Sequence, residues 1–407
     1  MRQHSKMIGG ILLVSGTAVG AGMLALPVST GLAGFWLSAL LFSLYSVYMT
    51  FTALLMLEVN LWVGEGNNLI SMAKLTLGRW GEALSWLVYL FLLYSLTTAY
   101  IAGSAPLLLI AFQSLTGISL PDWAGTIPLL LIFGFFVYKG ARAVDVVNRV
   151  LMLGLIIAYV LLAVFLTPHV ELKLLSHVDW RYALFGVSVA ATSFGFHIVI
   201  PSLVTYMDRD IPKVRKVILI GSSIPILVYL LWEFLVLGII PIEGQNGIRQ
   251  GYLNGNNAAY LLAEVLHHSA LSMVAQFFSF FAIITSFLGV SLSLFDFLAD
   301  GLCIKKTRPG RCMLFVMTFL PPLLITMADP RAFLSALEYA GAFGVVILLG
   351  FLPAAMAWSG RYRLYLVAPS GYQAPGGKLA LVTTMALSLA VIAYEVMIKL
   401  GVISKTL

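Results

Sequence analysis

Three glycines occur within seven residues in Gly16-Thr17-Ala18-Val19-Gly20-Ala21-Gly22, inside an apolar stretch that runs from about residue 7 to about residue 30. Each glycine costs about 1 kcal/mol in a helix relative to alanine. Lipid offers no partner for a backbone group that a helix releases. A helix broken here, with its free amides and carbonyls turned to a ligand, explains the pattern. The alternative is close helix packing, because Gly16-x-x-x-Gly20 is also a small-residue contact motif.

The two sides of such a break favour opposite charges. An outer half-helix that begins near Ala21-Gly22 presents free N–H groups and the positive end of its dipole, which suit a carboxylate. An inner half-helix that ends near Gly16 leaves carbonyl oxygens for a cation or an ammonium group. The stretch therefore predicts a site for an amino acid, a cation or both.

A second glycine-centred stretch, Thr192-Ser193-Phe194-Gly195-Phe196-His197, lies in the sixth apolar segment. Its aromatic side chains could stack on an aromatic substrate, although phenylalanine in a membrane helix commonly faces lipid or core. An ionisable residue within a span is a functional hypothesis by default. His197 is therefore a candidate proton carrier or a partner for a substrate hydroxyl, and a structural histidine is the third interpretation.

A third group lies in the eighth segment, where Thr285-Ser286 follows Ala282 by one turn. Two hydroxyls and a carbonyl suit a weakly held monovalent cation, although such hydroxyls commonly bond to their own helix. Carboxylates within spans are expensive unless they are paired or protonated. We expect Glu58 and Asp296 to have structural or gating roles near the cytoplasmic ends, and Glu58 is also a candidate for proton coupling. The other acids within spans, which the sequence does not assign, are Glu233, Glu338 and Glu395.

The elements that position these groups are membrane spans. The chain of 407 residues is 60% hydrophobic and 10% charged, against about 25% charged in an ordinary soluble domain. We predict an all-α polytopic membrane protein with eleven spans. Their approximate bounds are 7–30, 33–60, 83–113, 125–139, 145–167, 182–204, 216–240, 270–299, 312–328, 332–357 and 379–401.

Most of the 24 Lys and Arg residues fall in loops on the same side as the N-terminus. The positive-inside rule therefore predicts a cytoplasmic N-terminus and, with eleven spans, a periplasmic C-terminus. It also explains the net charge of +7 without a nucleic-acid partner. The first span has no A-x-A cleavage pattern after it, so we expect it to be retained.

The two glycine stretches also indicate an inverted repeat. Thr17-x-x-Gly20 is echoed 175 residues later by Thr192-x-x-Gly195, and Glu58 is matched by Glu233 at the same offset. Five spans separate the paired elements, so the second copy is inverted. We predict a single transmembrane transporter domain (1–407) with repeats over about 7–167 and 182–357 and an additional helix over 379–401. A short cytoplasmic amphipathic helix (66–82) and an external lid helix (256–268) complete it.

Several functional classes are excluded. The chain has no G-x-x-x-x-G-K-[ST] nucleotide loop and no H-E-x-x-H zinc motif. No nucleophile–base pair is evident, so we do not expect an enzyme. Cys303 and Cys312 lie in one loop region and are interpreted as reduced thiols. We expect no cofactor.

Three long motifs resemble the bacterial tyrosine permeases of the hydroxy- and aromatic-amino-acid permease family. They are Gly16-Thr17-Ala18-Val19-Gly20-Ala21-Gly22-Met23-Leu24-Ala25-Leu26-Pro27, Thr192-Ser193-Phe194-Gly195-Phe196-His197 with Tyr206-Met207-Asp208, and Thr285-Ser286-Phe287-Leu288-Gly289-Val290 with Phe295-Asp296. The resemblance covers nearly the whole chain. It implies a LeuT-type fold with broken helices 1 and 6, and a proton-driven importer of tyrosine in the bacterial inner membrane.

A more distant resemblance, to the sodium-coupled neurotransmitter transporters, implies individual roles. The cation carbonyls correspond to Gly16, Val19 and Ala282, and the cation hydroxyls to Thr285 and Ser286. Met23 stands where that family's second sodium site needs an asparagine. The substrate carboxylate would meet the amides of Ala21 and Gly22, assisted by Tyr94, and the ammonium would meet the carbonyls of Ala18, Ala190 and Ala191. The full candidate substrate set is Thr17, Ala18, Ala21, Gly22, Met23, Tyr94, Ala190, Ala191, Ser193, Phe194, Phe196, His197, Phe287 and Val290.

The leading prediction is a monomeric symporter that imports tyrosine with protons by alternating access. His197 and Ser193 are candidates to bind the phenol, and His197 is the candidate proton carrier because the fifth span contains no lysine. Sodium at Gly16, Val19, Ala282, Thr285 and Ser286, with tryptophan or another aromatic amino acid as substrate, is the alternative. A passive channel or a non-transporting sensor is the alternative from another class.

Overall fold

The computed structural model describes residues 2–63, 68–266, 269–329 and 331–402, and its regular structure over those ranges is entirely helical. The helices are α1 (Arg2–Ala18), α2 (Gly22–Thr30), α3 (Phe35–Val63), α4 (Leu69–Thr116), α5 (Thr126–Lys139), α6 (Ala141–Leu166), α7 (Val187–Ser193), α8 (Ile200–Tyr206), α9 (Ile211–Leu237), α10 (Ile248–Asn254), α11 (Ala258–Val265), α12 (Ser269–Gly301), α13 (Arg308–Ala328), α14 (Ala332–Tyr339), a π-helix (Ala340–Phe351), α15 (Leu352–Tyr362) and α16 (Gly377–Lys399).

Nine helical segments among the described residues are long and apolar enough to cross a membrane, or ten if the bent pair α1–α2 forms one span. This confirms the predicted all-helical, polytopic membrane architecture. The apolar segment Trp123–Lys139, which ends in α5, is shorter than these spans. The described residues therefore support nine or ten spans, and the count of eleven stays a prediction.

The chain is interrupted at both predicted stretches. The first interruption separates α1 from α2, and the axes bend there by 51°. In the second, α7 ends at Ser193, and α8 begins at Ile200 after a 3-10 turn over His197–Val199. Pro201 occupies the first turn of α8, where a proline lacks only a hydrogen bond that the helix would not make.

The two predicted surface helices exist with different bounds. Residues 69–77 form a helical segment that is separated from the rest of α4 by Gly78, whose φ of 74° and ψ of −158° are accessible mainly to glycine. The predicted lid corresponds to α11, which Asn257 caps by accepting a hydrogen bond from the amide of Tyr260. Residues 66–67 and 267–268 of these two predictions lie outside the described residues.

The interrupted helices lie at the centre of the bundle. Every residue of α2 is buried, and α2 contacts both α7 and α9. By contrast, α6, α13 and α16 expose large apolar side chains, as expected of surfaces that face lipid. Examples are Val150, Leu153, Val164, Leu324 and Leu387. The fold thus encloses both breaks within helices that are apolar on the outside.

Candidate functional site

A cavity of about 670 Å³ is bordered by both helix breaks. It extends from them to Asn68 at the start of α4 and to Ser202 on α8. Gly16, Thr17 and Asn68 are exposed, whereas α2 is entirely buried. The cavity is therefore reached from the surface that carries the N-terminal end of α1, and α2 closes the opposite side.

Many of the predicted site residues border this cavity, and others do not. Those that border it are Gly16, Thr17, Ala18, Val19, Ala21, Gly22, Ser193, Phe196, His197, Thr285, Ser286 and Val290. Those that do not border it are Met23, Glu58, Tyr94, Ala190, Ala191, Phe194, Ala282 and Phe287. The first group comes mainly from the two breaks themselves, whereas much of the second lies within helices that pack on them.

Tyr94 is turned away from the cavity. Its hydroxyl donates a hydrogen bond to the carbonyl oxygen of Met317 on α13 at 2.8 Å. Tyr100, six residues later on α4, borders the cavity, and its phenol lies beside Ser286. The structure therefore presents Tyr100, rather than the predicted Tyr94, at the first break.

The amide of Ala21 already has a partner. It donates a hydrogen bond to Oγ of Ser286 on α12 at 3.0 Å, so Ser286 bridges α12 to the start of the outer half-helix. A substrate carboxylate would have to share or displace this bond to reach the amide. Gly22 follows directly, and a Cβ atom at Gly22 would lie 2.8 Å from Oγ of Ser193. The two breaks approach each other here because Gly22 has no side chain.

A tyrosine on α9 joins the two breaks. The hydroxyl of Tyr229 lies 2.7 Å from the carbonyl oxygen of Ala18 and 2.8 Å from that of Ser193. Ala18 is the last residue of α1, and Ser193 is the last residue of α7. Tyr229 is fully buried, and its ring packs edge-on against Phe194 at 5.1 Å between centroids. Both half-helices thus end at the same hydroxyl group.

His197 is buried beside the cavity and has one hydrogen-bonded ring nitrogen. Nε2 lies 2.8 Å from Oγ1 of Thr52, and Nδ1 has no hydrogen-bond partner. The hydroxyl of Thr52 also lies 3.2 Å from the carbonyls of Tyr48 and Met49. These contacts are satisfied if Nε2–H donates to Thr52 and the single hydroxyl hydrogen of Thr52 is shared between the two backbone carbonyls. In that tautomer, Nδ1 is an acceptor without a donor.

The predicted cation ligands do not all turn to one point. Thr285 donates its hydroxyl hydrogen to its own helix, at 2.8 Å from the carbonyl of Phe281, and Ser286 accepts the amide hydrogen of Ala21. A Cβ atom at Gly16 would meet nothing within 4 Å, so this end of the set faces open space. The hydroxyl oxygens keep lone pairs that a monovalent cation could use. In this conformation, however, the predicted ligand oxygens do not surround one position.

Glu58 is held in a buried ion pair at a distance from the cavity. Its Oε1 accepts a hydrogen bond from Nε of Arg361 at 2.8 Å, and its Oε2 accepts one from the amide of Ala374 at 2.7 Å. Arg361 also donates to the carbonyl of Ala374 at 2.8 Å. Glu58 thus ties α3 to α15 and to the segment before α16, which agrees with the structural role expected of it.

The remaining acids within spans differ in their partners. Asp296 pairs with Lys306 at 2.8 Å. Glu338 and Glu395, which the sequence did not assign, both lie 3.7 Å from the ammonium of Lys399. Glu233 contacts Thr30 at 2.6 Å.

Cys303 and Cys312 are free and exposed, and the described residues contain no cluster of His, Cys, Asp and Glu that could hold a metal ion.

Several cavity residues escaped the sequence analysis. Polar members of this group are Tyr89, Tyr100, Asn148 and Ser293, and apolar members include Met56, Leu92, Leu93, Leu96, Val345, Leu348 and Leu349. They come from α3, α4, α6, α12 and the π-helix, which are not interrupted where they pass the two breaks. Only Asn148, a polar residue within an apolar segment, carried a signal that could have been used.

This arrangement has the organisation of a membrane transport protein, with two interrupted helices at the centre and a cavity open to one surface. The tryptophan/tyrosine permease family model matches residues 3–395. The chain belongs to that family, which confirms the family resemblance seen in the sequence. The family consists of transport proteins, so the prediction that the chain is a transporter and not an enzyme is also confirmed.

Curated relatives cover almost the whole chain. A tryptophan-specific transport protein of Haemophilus influenzae is 35% identical over 395 residues, which is 92% of each chain. A tryptophan-specific transport protein of Pseudomonas aeruginosa is 31% identical over 95% of this chain and 94% of its own. The tyrosine-specific transport system 1 of Haemophilus influenzae is 31% identical over 98% of each chain. The names of these three relatives specify two different aromatic amino acids.

Proposed function

We propose that this protein is a proton-coupled symporter that imports tyrosine or tryptophan across the bacterial inner membrane by alternating access. The single observation that carries the proposal is the cavity that both helix breaks border and that opens to one surface only. A site closed on one side is what alternating access requires, whereas a passive channel needs a continuous path. The names of the three relatives described above support aromatic substrates.

The proposed topology has eleven spans, with α5 as the short fourth span, and two inverted five-helix repeats. The pair α1–α2 corresponds to the pair α7–α8 in the repeat. The N-terminus is cytoplasmic by the positive-inside rule, and the C-terminus is periplasmic. The cavity then opens to the cytoplasm, so the conformation is inward-open. The working unit is a monomer.

We assign the carboxylate and ammonium groups of the amino-acid substrate to the two helix breaks. The carboxylate lies near the amide of Gly22 and the phenol of Tyr100, where the start of α2 and a hydroxyl donor favour an anion. The ammonium lies near the carbonyls of Ala18 and Ser193. Tyr229 has one hydrogen for these two acceptors, so one of them always has a free lone pair.

The aromatic ring occupies the apolar part of the cavity, beside Phe196, Leu348 and Leu349. His197 supplies an acceptor at Nδ1, which suits the phenol O–H of tyrosine and the indole N–H of tryptophan equally. Phenylalanine has no such donor and would leave Nδ1 unpaired. A buried polar group left unpaired makes a site reject the analogue strongly. Tyrosine and tryptophan are therefore preferred over phenylalanine.

Protons are the proposed coupling ion. Ser286 already accepts a hydrogen bond from Ala21, and Met23 stands where a second sodium site would need an oxygen ligand. Sodium held by Gly16, Val19, Ala282, Thr285 and Ser286 is the alternative, because all these positions carry suitable oxygen atoms.

Uptake into proteoliposomes tests the substrate class. The purified protein is reconstituted, and entry of labelled tyrosine is measured with unlabelled tryptophan, phenylalanine or leucine as competitor. We expect tryptophan to compete strongly, phenylalanine weakly and leucine not at all. Equal competition by leucine would exclude an aromatic site. Entry of a small inert solute together with tyrosine would indicate a channel instead.

A further inference from the structure

Glu233 differs from the other acidic residues within the spans by its lack of a basic partner. The ion pairs of the others are Glu58–Arg361, Asp296–Lys306, Glu338–Lys399 and Glu395–Lys399. Over the ranges that the structure describes, no Lys, Arg or His side chain forms an ion pair with Glu233. Its carboxyl group therefore has no cationic side chain within ion-pair distance in that part of the chain.

The surroundings of Glu233 disfavour the charged form. The side chain is fully buried on α9 near the outer end of α2. Oε1 lies 2.6 Å from Oγ1 of Thr30, the last residue of α2, and Oε2 has no hydrogen-bond partner. The hydroxyl of Ser38 also lies beside the carboxyl group, but it is within hydrogen-bond distance of the carbonyls of Thr30 and Gly34 as well. A carboxylate with neutral hydroxyl partners and no counter-ion is expensive in such a place, so burial favours the neutral acid.

The hydrogen count at Thr30 leads to the same conclusion. Oγ1 of Thr30 lies 2.8 Å from the carbonyl oxygen of Leu26 and 2.6 Å from Oε1 of Glu233. A threonine hydroxyl has one hydrogen to donate, and a carbonyl oxygen has none. Both contacts are hydrogen bonds if Glu233 is protonated and donates to Thr30 while Thr30 donates to Leu26.

The titratable groups on the elements that pack against α9 do not supply a positive charge that would favour the ionised form of Glu233. Tyr159 on α6 donates its hydroxyl to the carbonyl of Val228, and the ring of His177 is 3.1 Å from the carbonyl of Leu32. Glu171, whose amide donates to the carbonyl of Gly238, has an exposed side chain. Further titratable groups on these elements include Tyr45, Tyr48 and Glu58 on α3, Arg142, Asp145 and Arg149 on α6, Lys6 on α1, Tyr206 on α8 and Lys173 before the turn at 174–176.

We propose that Glu233 is the group that binds the coupled proton, and that it is protonated in the inward-open conformation described here. This inference rests on the proposed function. While the outer side is open to water, the carboxylate can take a proton from the external solution. Closing the outer side buries the carboxyl group, so closure requires that the proton has already bound. After the substrate has left the cavity, a conformation that admits water to Glu233 from the inner side releases the proton to the cytoplasm.

The position of Glu233 links this proton to the substrate site. Tyr229 lies one turn earlier on α9, and its hydroxyl contacts the carbonyls of Ala18 and Ser193 beside the cavity. Next to Glu233, Trp232 donates its indole N–H to the carbonyl of Met23 at 2.9 Å. The same face of α9 therefore contacts the first break, the second break and the outer half-helix α2.

The test compares coupled and uncoupled transport by Glu233→Gln in proteoliposomes. Glutamine has the size of a protonated glutamate and stays neutral, so it reproduces the loaded state. We expect exchange of external labelled tyrosine for internal unlabelled tyrosine, measured without a gradient, to be retained. We expect accumulation driven by an inside-alkaline pH gradient to be lost, so that internal tyrosine only reaches the external concentration.

Glu395→Gln is the matched control. Glu395 is an equally buried carboxyl group, but it lies beside Lys399, so this variant should still accumulate tyrosine.

Accumulation by Glu233→Gln at the wild-type level would overturn the proposal. Loss of exchange in a Glu233→Gln protein that is monodisperse in detergent would also overturn it, because the neutral form must be competent. If the wild-type protein itself exchanges tyrosine without responding to a pH gradient, the proposed coupling fails. If it does not exchange tyrosine at all, the proposed function fails.

Discussion

The hydroxyl of Tyr229 lies 2.7 Å from the carbonyl oxygen of Ala18, at the point where the first helix is interrupted. The same hydroxyl lies 2.8 Å from the carbonyl of Ser193, where the second interruption begins. Ala18 and Ser193 are 175 positions apart, which is the offset of the proposed repeat. One side chain on α9 therefore holds corresponding ends of the two half-helices together beside the cavity.

Replacing Tyr229 with phenylalanine should impair substrate binding. The variant keeps the ring that packs on Phe194 but removes the one O–H donor that the two buried carbonyls share, which costs about 1–3 kcal/mol. We expect the KM for tyrosine to rise several-fold while Vmax changes less. Tyr159→Phe is the control, because that hydroxyl also donates to a backbone carbonyl but does not border the cavity. Equal KM values in the two variants would argue against a role for Tyr229 in positioning the breaks.

Replacing His197 with leucine should reduce the discrimination between tyrosine and phenylalanine. Leucine removes the acceptor at Nδ1, so a phenol or an indole would enter the site with its donor unpaired. The loss of about 1–3 kcal/mol corresponds to roughly 5- to 150-fold in the preference for tyrosine. The ratio of Vmax/KM for tyrosine and phenylalanine measures this effect. The control is Thr52→Ser, which keeps the hydroxyl beside Nε2. An unchanged ratio in the leucine variant would mean that His197 does not contact the ring substituent.

A methyl group at Gly22 should block transport more than one at Gly289. A Cβ atom at Gly22 would lie 2.8 Å from Oγ of Ser193, and one at Gly289 would meet nothing within 4 Å. The first substitution must push α2 and α7 apart, whereas the second only adds a methyl group to the cavity wall. We expect Gly22→Ala to lose most of its tyrosine uptake and Gly289→Ala to retain most of it. The reverse order would show that the close approach of the two breaks is not needed.

Removing one partner of the Glu58–Arg361 pair should destabilise the protein strongly. Both side chains are buried, and an unpaired buried charge typically costs about 3–5 kcal/mol. We expect Glu58→Gln to lower the midpoint of thermal unfolding in detergent. Lys6→Ala provides the comparison, because the Lys6–Asp208 pair is exposed and such pairs contribute about 0–1 kcal/mol. Similar midpoints for the two variants would contradict the assigned structural role of Glu58.

The sequence was most informative where a residue broke a local rule. Glycine clusters within apolar segments predicted both interruptions: α1 ends two residues after the predicted position Gly16, and α7 ends at Ser193, inside the second predicted stretch. The length of the apolar segments predicted the other membrane-spanning helices. These features are local, so they depend on a few neighbouring residues and on the requirement that lipid-buried backbone groups be satisfied.

Features that depend on helix rotation could not be predicted in the same way. Tyr94 and Tyr100 are both tyrosines of α4, but their azimuths differ, and only Tyr100 borders the cavity. The bond from Ala21 to Ser286 joins positions 265 residues apart. The ion pair of Glu58 with Arg361 and the hydroxyl of Tyr229 between two carbonyls likewise depend on tertiary packing. Periodicity in one segment carries no information about which residue of another segment it meets.

The most direct test of proton-coupled import is accumulation of labelled tyrosine in proteoliposomes under one gradient at a time. One set receives an inside-alkaline pH gradient without sodium, and the other receives an inward sodium gradient without a pH difference. We expect tyrosine to accumulate above the external concentration under the pH gradient alone. Accumulation that occurs only under the sodium gradient would contradict proton coupling and would favour the cation site at Gly16, Val19, Ala282, Thr285 and Ser286.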